Sequence, residues 1–246
     1  MLIISIANQK GGVAKTTTAL NLGAGLNQEG YKVLLIDLDS QTDLTTGLGI
    51  PKTQYTISDV LQGRAVSKAI IKLDNGISII PSDKDLKSIQ MNLSKFDILS
   101  KALKDIKNDY DYIVMDTSPG INVLTINAIL TSNMILIPIT PEYLALRGLK
   151  DFSETIEQLN KKFDLTPAKI KILITNYDQR KGHHREAVQL IEKHFKKELL
   201  NIRIRTNVSL TEAISQAQNI YEYQPLSHGS QDYKALTKEI IKENKK

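Results

Sequence analysis

Nine residues, Gln9 to Thr17 (QKGGVAKTT), place two lysines, two glycines and two threonines just after the apolar run Leu2–Ala7 and a single asparagine. That combination suits phosphate. Gly11 and Gly12 permit positive φ and a close backbone approach to a ligand. A helix beginning near Lys15 presents unpaired N–H groups and the positive end of its dipole to an anion. Lys15 would then reach the β- and γ-phosphates of a nucleotide, and the Thr16 hydroxyl would ligate Mg²⁺. Lys10, Val13, Ala14 and Thr17 complete the candidate cofactor-binding stretch. Its spelling departs from G-x-x-x-x-G-K-[ST], because Gln9 and Ala14 stand where that pattern has glycine.

Three carboxylates extend the same chemistry. Asp37 and Asp39 close the run VLLIDLD, and Asp116 closes YDYIVMD. The carboxyl edge of a parallel sheet is where open α/β folds bind ligands. An acidic group at Asp116 can hold an Mg²⁺-bound water, since Mg²⁺ dehydrates reluctantly. The turn Thr117–Gly120 then lies where it can sense a γ-phosphate. Asn176 ends the run ILITN and stands where a guanine-specific [NT]-K-x-D element needs lysine, which favours adenine. His183 and His184 look like a metal pair, but adjacent residues on a helix do not face one another; they read as solvent-exposed. Arg180, Lys181, Arg185, Arg203 and Arg205 head a basic segment that also holds Lys193, Lys196 and Lys197, and the tail adds Lys242, Lys245 and Lys246. Two readings of that segment stand side by side: a pair of solvated helix faces, or a surface for a polyanion.

The elements that must position these residues follow from periodicity. Nearly continuous apolar runs at Leu2–Ala7, Lys32–Asp39, Ile77–Pro81, Tyr112–Asp116, Met134–Ile139 and Ile170–Asn176 predict parallel strands buried on both faces. Helical patterns at 16–28, 99–107, 122–131, 144–163 and 185–197 alternate with them. This alternation predicts a doubly wound, mostly parallel α/β sheet flanked by helices. With no linker, repeat or low-complexity tract, residues 1–246 are expected to form a single domain. The absence of cysteine excludes disulfides, thiolate metal sites and iron–sulfur chemistry. No run approaches a membrane span, and no signal peptide opens the chain, so a cytoplasmic protein is expected. The net charge of +5 points only weakly to a polyanionic partner.

Lys10 makes the loop read K-G-G-x-x-K-[ST], the deviant Walker A spelling. With VLLIDLDSQ, YDYIVMDTSPG, PITPEYLALRGL and NVSLTEAISQ, it makes the chain resemble the ParA/Soj partition ATPases of the MinD/ParA group, over essentially its full length. The resemblance implies a deviant Walker P-loop NTPase fold, with ATP and Mg²⁺ as cofactors. It implies that Lys10 crosses a homodimer interface to the partner's nucleotide, that Asp39 orients the attacking water, and that Asp37 supports the Mg²⁺ shell. Lys10, Lys15 and Asp39 are thus the catalytic candidates, Thr16, Asp37 and Asp116 the metal candidates, and Asn176 a contributor to the adenine pocket. It further implies non-specific DNA binding in the ATP state, release by a ParB-like adaptor, and association with the nucleoid. Departures from the family pattern are Ala14, Ser40, Ser118, Gly120, Thr206, Leu226 and His228. The last three remove basic residues that serve DNA in the family, leaving the Arg180–Arg205 cluster to supply that contact. Positioning of a protein complex is the alternative. A MinD-like membrane switch is disfavoured, because the stripe Tyr233, Leu236, Ile240 and Ile241 reads as a helix docked on the domain.

Overall fold

The computed structural model describes residues 1–143, 145–164 and 166–244; Leu144, the expected first residue of one helix, and the basic tail residues Lys245 and Lys246 lie outside these. Eight strands occur among the described residues: β1 (Leu2–Ile6), β2 (Val33–Leu38), β3 (Ile71–Lys72), β4 (Ser78–Ile80), β5 (Tyr112–Thr117), β6 (Met134–Ile139), β7 (Lys169–Tyr177) and β8 (Leu199–Arg205). They form one sheet in the order β3-β4-β2-β5-β1-β6-β7-β8. Every pairing is parallel except β3 with β4. All residues of β2, β5 and β6 are buried, which accounts for their unbroken apolar runs.

Helices cover both faces. On one, Leu20, Leu22 and Leu26 of the helix Lys15–Gln28 and Tyr233, Leu236 and Ile240 of the helix His228–Asn244 pack on Ile4, Ile6 and Leu35. The stripe of the C-terminal helix is therefore core. On the other face, Ile57, Leu99 and Leu124 cover Leu34, Ile36 and Met115, while Phe152, Ile156 and Ile191 cover Ile137, Ile172 and Ile174.

Two strands depart from the sequence expectation. β3 has two residues, too short for any periodic signal. β8 reads LLNIRIR and lies at the sheet edge, where exposed and buried positions mix. Charge on an edge strand deters pairing with another chain. Arg203 and Arg205 thus sit on a strand, and not on a solvated helix face as one reading of the basic segment had it; Arg185 alone of the five lies within the helix Gly182–His194, with Lys181 as its N-cap.

Candidate active site

The candidate phosphate-binding loop leaves β1 and enters the helix Lys15–Gln28. Asn8 fixes its start, donating from Nδ2 to the Pro138 carbonyl (2.7 Å) and accepting from the Lys10 N–H at Oδ1 (2.9 Å). Gly12 has φ of 72°, the left-handed region that favours glycine. Ala14, the N-cap, shares that region with φ of 64° and ψ of 37° and offers no side-chain cap. The N–H groups of the first turn are thereby left for a ligand. The Thr175 hydroxyl ties the loop to β7 by donating to the Val13 carbonyl (3.1 Å). Gly11, Gly12, Ala14, Lys15, Thr16 and Thr17 line a cleft of about 670 Å³ together with Asp39, Gln41, Pro119 and Ile214.

Strand register brings the carboxylates together. Asp116 on β5 is the Cα partner of Asp37 on β2 and of Ile6 on β1. Asp116 is 1% exposed, and neither of its oxygens has a hydrogen-bond partner among the described residues. Burial pushes its carboxyl well above the usual range and the Asp37 charge adds to this; the Thr16 hydroxyl and the Lys15 charge oppose the shift without meeting hydrogen-bond geometry. Lys15 is itself buried, and its Nζ donates to the Lys10 carbonyl (3.2 Å). Burial lowers its pKa, against the charges of Asp116 and Asp39.

Asp37 behaves differently. Its Oδ1 accepts from the Asp39 N–H (3.0 Å), and its Oδ2 accepts from the Thr45 N–H (3.0 Å) and the Thr45 hydroxyl (2.6 Å). Burial nevertheless raises its carboxyl to about 6. Asp39 lines the cleft and accepts the Gln41 N–H at Oδ1 (3.0 Å). The donor set fits magnesium: Asp116 supplies two unpartnered oxygens beside the Thr16 hydroxyl, and the described residues hold no cluster of three metal-ligating side chains. An ion that keeps several of its own waters needs no more.

Other expected residues lie apart. Lys10 reaches Glu142, not the cleft, in an exposed ion pair, which holds Glu142 below the usual carboxylate range. Asn176, exposed at the end of β7 with φ of 51°, receives the Thr206 hydroxyl on its carbonyl (3.0 Å). Of the basic candidates, Arg180 pairs with Asp178, Arg203 with Glu192 and Arg205 with Asp232. Lys181 and Arg185 are exposed and have no ion pair among the described residues, although Arg185 donates to the Gln179 carbonyl (2.6 Å). His184, expected at the surface, is 7% exposed and accepts the Asp178 N–H at Nδ1 (3.1 Å); the helix start turns it inward while His183 stays out. Thr45 and Glu142 escaped the sequence reading, since nothing local marks a threonine that holds a carboxylate or a glutamate that meets a lysine 132 positions away.

A protein family described as an AAA domain matches residues 1–172. The chain is 37% identical over 246 residues to the sporulation initiation inhibitor protein Soj of Bacillus subtilis, covering 97% of each. It is 36% identical over 249 residues to the chromosome partitioning protein ParA of Caulobacter vibrioides, covering 97% of this chain and 93% of that one. Among solved structures, cobyrinic acid a,c-diamide synthase from Mycobacterium smegmatis with a bound ATP analogue and magnesium matches with a TM-score of 0.85 at 30% identity, over 100% of this chain and 96% of the other.

Proposed function

The chain belongs to the AAA-domain family, among the ParA/Soj-like ATPases with a deviant Walker A loop, and from that premise we propose that it is a Mg²⁺-dependent ATPase that dimerises around two ATP molecules, binds DNA non-specifically in that state, and is released by hydrolysis that a ParB-like adaptor stimulates. The observation that carries the reading is the buried, unpartnered Asp116 carboxylate beside Thr16 and Lys15, in a strand register that ends at a glycine-lined cleft. A solved structure of this fold with an ATP analogue and magnesium supports the choice of ligands.

Each residue then has a physical task. The loop N–H groups and Lys15 hold the phosphates, with Lys15 exchanging the Lys10 carbonyl for phosphate oxygens. Thr16 and Asp116 would hold Mg²⁺, which when bound supplies positive charge to offset that of the phosphates. Asp39 orients the attacking water, from a turn that Asp37 anchors. Lys10, on the surface with Glu142 as its intramolecular partner, supplies a second cation to the nucleotide of another copy. Relatives named for chromosome partitioning support a role in segregation. Because Thr206, Leu226 and His228 offer little positive charge, Lys181 and Arg185 carry the DNA contact.

Multiple-turnover phosphate release tests the enzyme: the wild type releases phosphate, and Lys15→Ala and Asp39→Ala each lose about 100-fold or more. Equal release by both variants and the wild type would sink the assignment. DNA titrations with ATP, with ADP and without nucleotide, across salt, test the rest. Binding confined to ATP and weakened steeply by salt is expected; no binding in any state would move the cargo to a protein complex.

A further inference from the structure

Asp39 is useful to a water only if its turn stands still, and the turn is not relaxed by itself. Thr42, three residues on, has φ of 61° and ψ of 26°, a region that a β-branched side chain disfavours. Such a conformation persists only where the surroundings impose it. Here the surroundings are few and specific. The Asp37 carboxylate, fully buried, grips both ends of the turn, taking the Asp39 N–H on one oxygen and the Thr45 N–H and hydroxyl on the other. The Thr45 hydroxyl has one proton and gives it to Asp37, so it meets the Ser82 N–H (2.9 Å) as acceptor. Its two bonds therefore join the turn to β2 and to the segment leaving β4. Between the grips, Thr42 N–H donates to the Asp39 carbonyl (3.0 Å) and Thr46 N–H to the Thr42 carbonyl (2.8 Å), so the strained residue lies within one continuous chain of bonds.

We propose that Thr45 is a positioning residue for hydrolysis: its hydroxyl, bridging Asp37 and the Ser82 N–H, locks the turn that carries Asp39 against the phosphate cleft. The inference rests on the ATPase reading. A hydroxyl suits both bonds, because its single oxygen donates to the carboxylate and accepts from the amide; valine has the same shape and does neither. Misplacing a water-orienting group costs the chemical step more than it costs binding, since Thr45 itself does not line the cleft.

Steady-state turnover and ATP affinity of the full chain with Mg²⁺ separate the outcomes. Thr45→Val is expected to lower kcat by about 10- to 100-fold, with KM for ATP and the affinity for a non-hydrolysable ATP analogue held within about threefold. Thr45→Ser, which keeps the hydroxyl, is expected to recover kcat to within about threefold of the wild type. Should Thr45→Val not fold, as circular dichroism reports, Thr45→Ala takes its place in the same comparison. Asp37→Asn combined with Thr45→Val should be no slower than the slower single variant, because both cut one clamp. Wild-type turnover with an equal kcat in Thr45→Val overturns the positioning role, as does a loss confined to KM or one that serine fails to rescue. A wild type that binds ATP and releases no phosphate overturns the ATPase reading instead.

Discussion

Asp116 carries an unrelieved burial cost when no cation is bound. It is buried, its oxygens lack partners, and the Asp37 charge is its neighbour across the strand pair. Asp116→Asn keeps the shape and cannot ionise, so at a pH where the wild-type carboxyl is charged the ligand-free variant should be the more stable by roughly 1–3 kcal/mol. The same variant should lose the added stability that ATP with Mg²⁺ gives the wild type. Thermal unfolding with and without ligand checks both halves, and a lower ligand-free Tm in the variant counts against the account. Asp37 adds a pH dependence of definite sign. Its folded value of about 6 exceeds the ordinary 3.8, so the folded state binds its proton more tightly. Its contribution is complete below about 4 and lost as pH rises through about 6, by roughly 3 kcal/mol. Denaturant titrations of the ligand-free protein from pH 4 to 7 should show that decline, and a rise across the window would contradict it.

At the scale of elements, the helix Lys15–Gln28 aims Lys15 and Thr16 through its packing on the C-terminal helix. Gly25 makes that approach possible: a Cβ there would lie 2.2 Å from Thr237 Oγ1 and 2.7 Å from the Tyr221 hydroxyl. Gly25→Ala is expected to cost about 1–3 kcal/mol in urea unfolding, while ATP affinity of the folded fraction holds, because the contact is nearly three turns (about 15 Å) from Lys15. Loss of affinity without loss of stability would show that the helix transmits more than support. The contrast between Gly25 and the phosphate loop shows what the chain discloses about itself. QKGGVAKTT is legible because its candidate ligand-binding groups are consecutive and the strand before it is mostly apolar. The central strands are legible for the same reason: burial on both faces writes a local pattern. β8 is less so, since an edge strand mixes exposed and buried residues and carries arginines. Thr45, Glu142 and the inward turn of His184 are written in no local pattern, because what defines each is a partner brought up by the tertiary fold.

Across the whole molecule, the basic segment near the sheet edge offers less unpaired positive charge than its residue types suggest. Arg180, Arg203 and Arg205 already face carboxylates. In salt titrations of DNA binding, Lys181→Ala and Arg185→Ala should each reduce the slope by about 1 and leave Tm unchanged. Arg205→Ala should do the reverse, lowering Tm because the buried Asp232 loses the guanidinium and keeps only the N–H of residue 205, with little change of slope. A slope that responds to Arg205 and not to Lys181 would relocate the interface. One consequence of the paired carboxylates on β2 and β5 concerns time. A ligand at about 100 times its Kd stabilises the folded chain by roughly 2.7 kcal/mol, about a hundredfold in the open population. Proteases cleave in proportion to that population when opening is fast. Molecules without nucleotide should then be cleaved first, and limited proteolysis with and without ATP and magnesium should differ in rate by up to about a hundredfold.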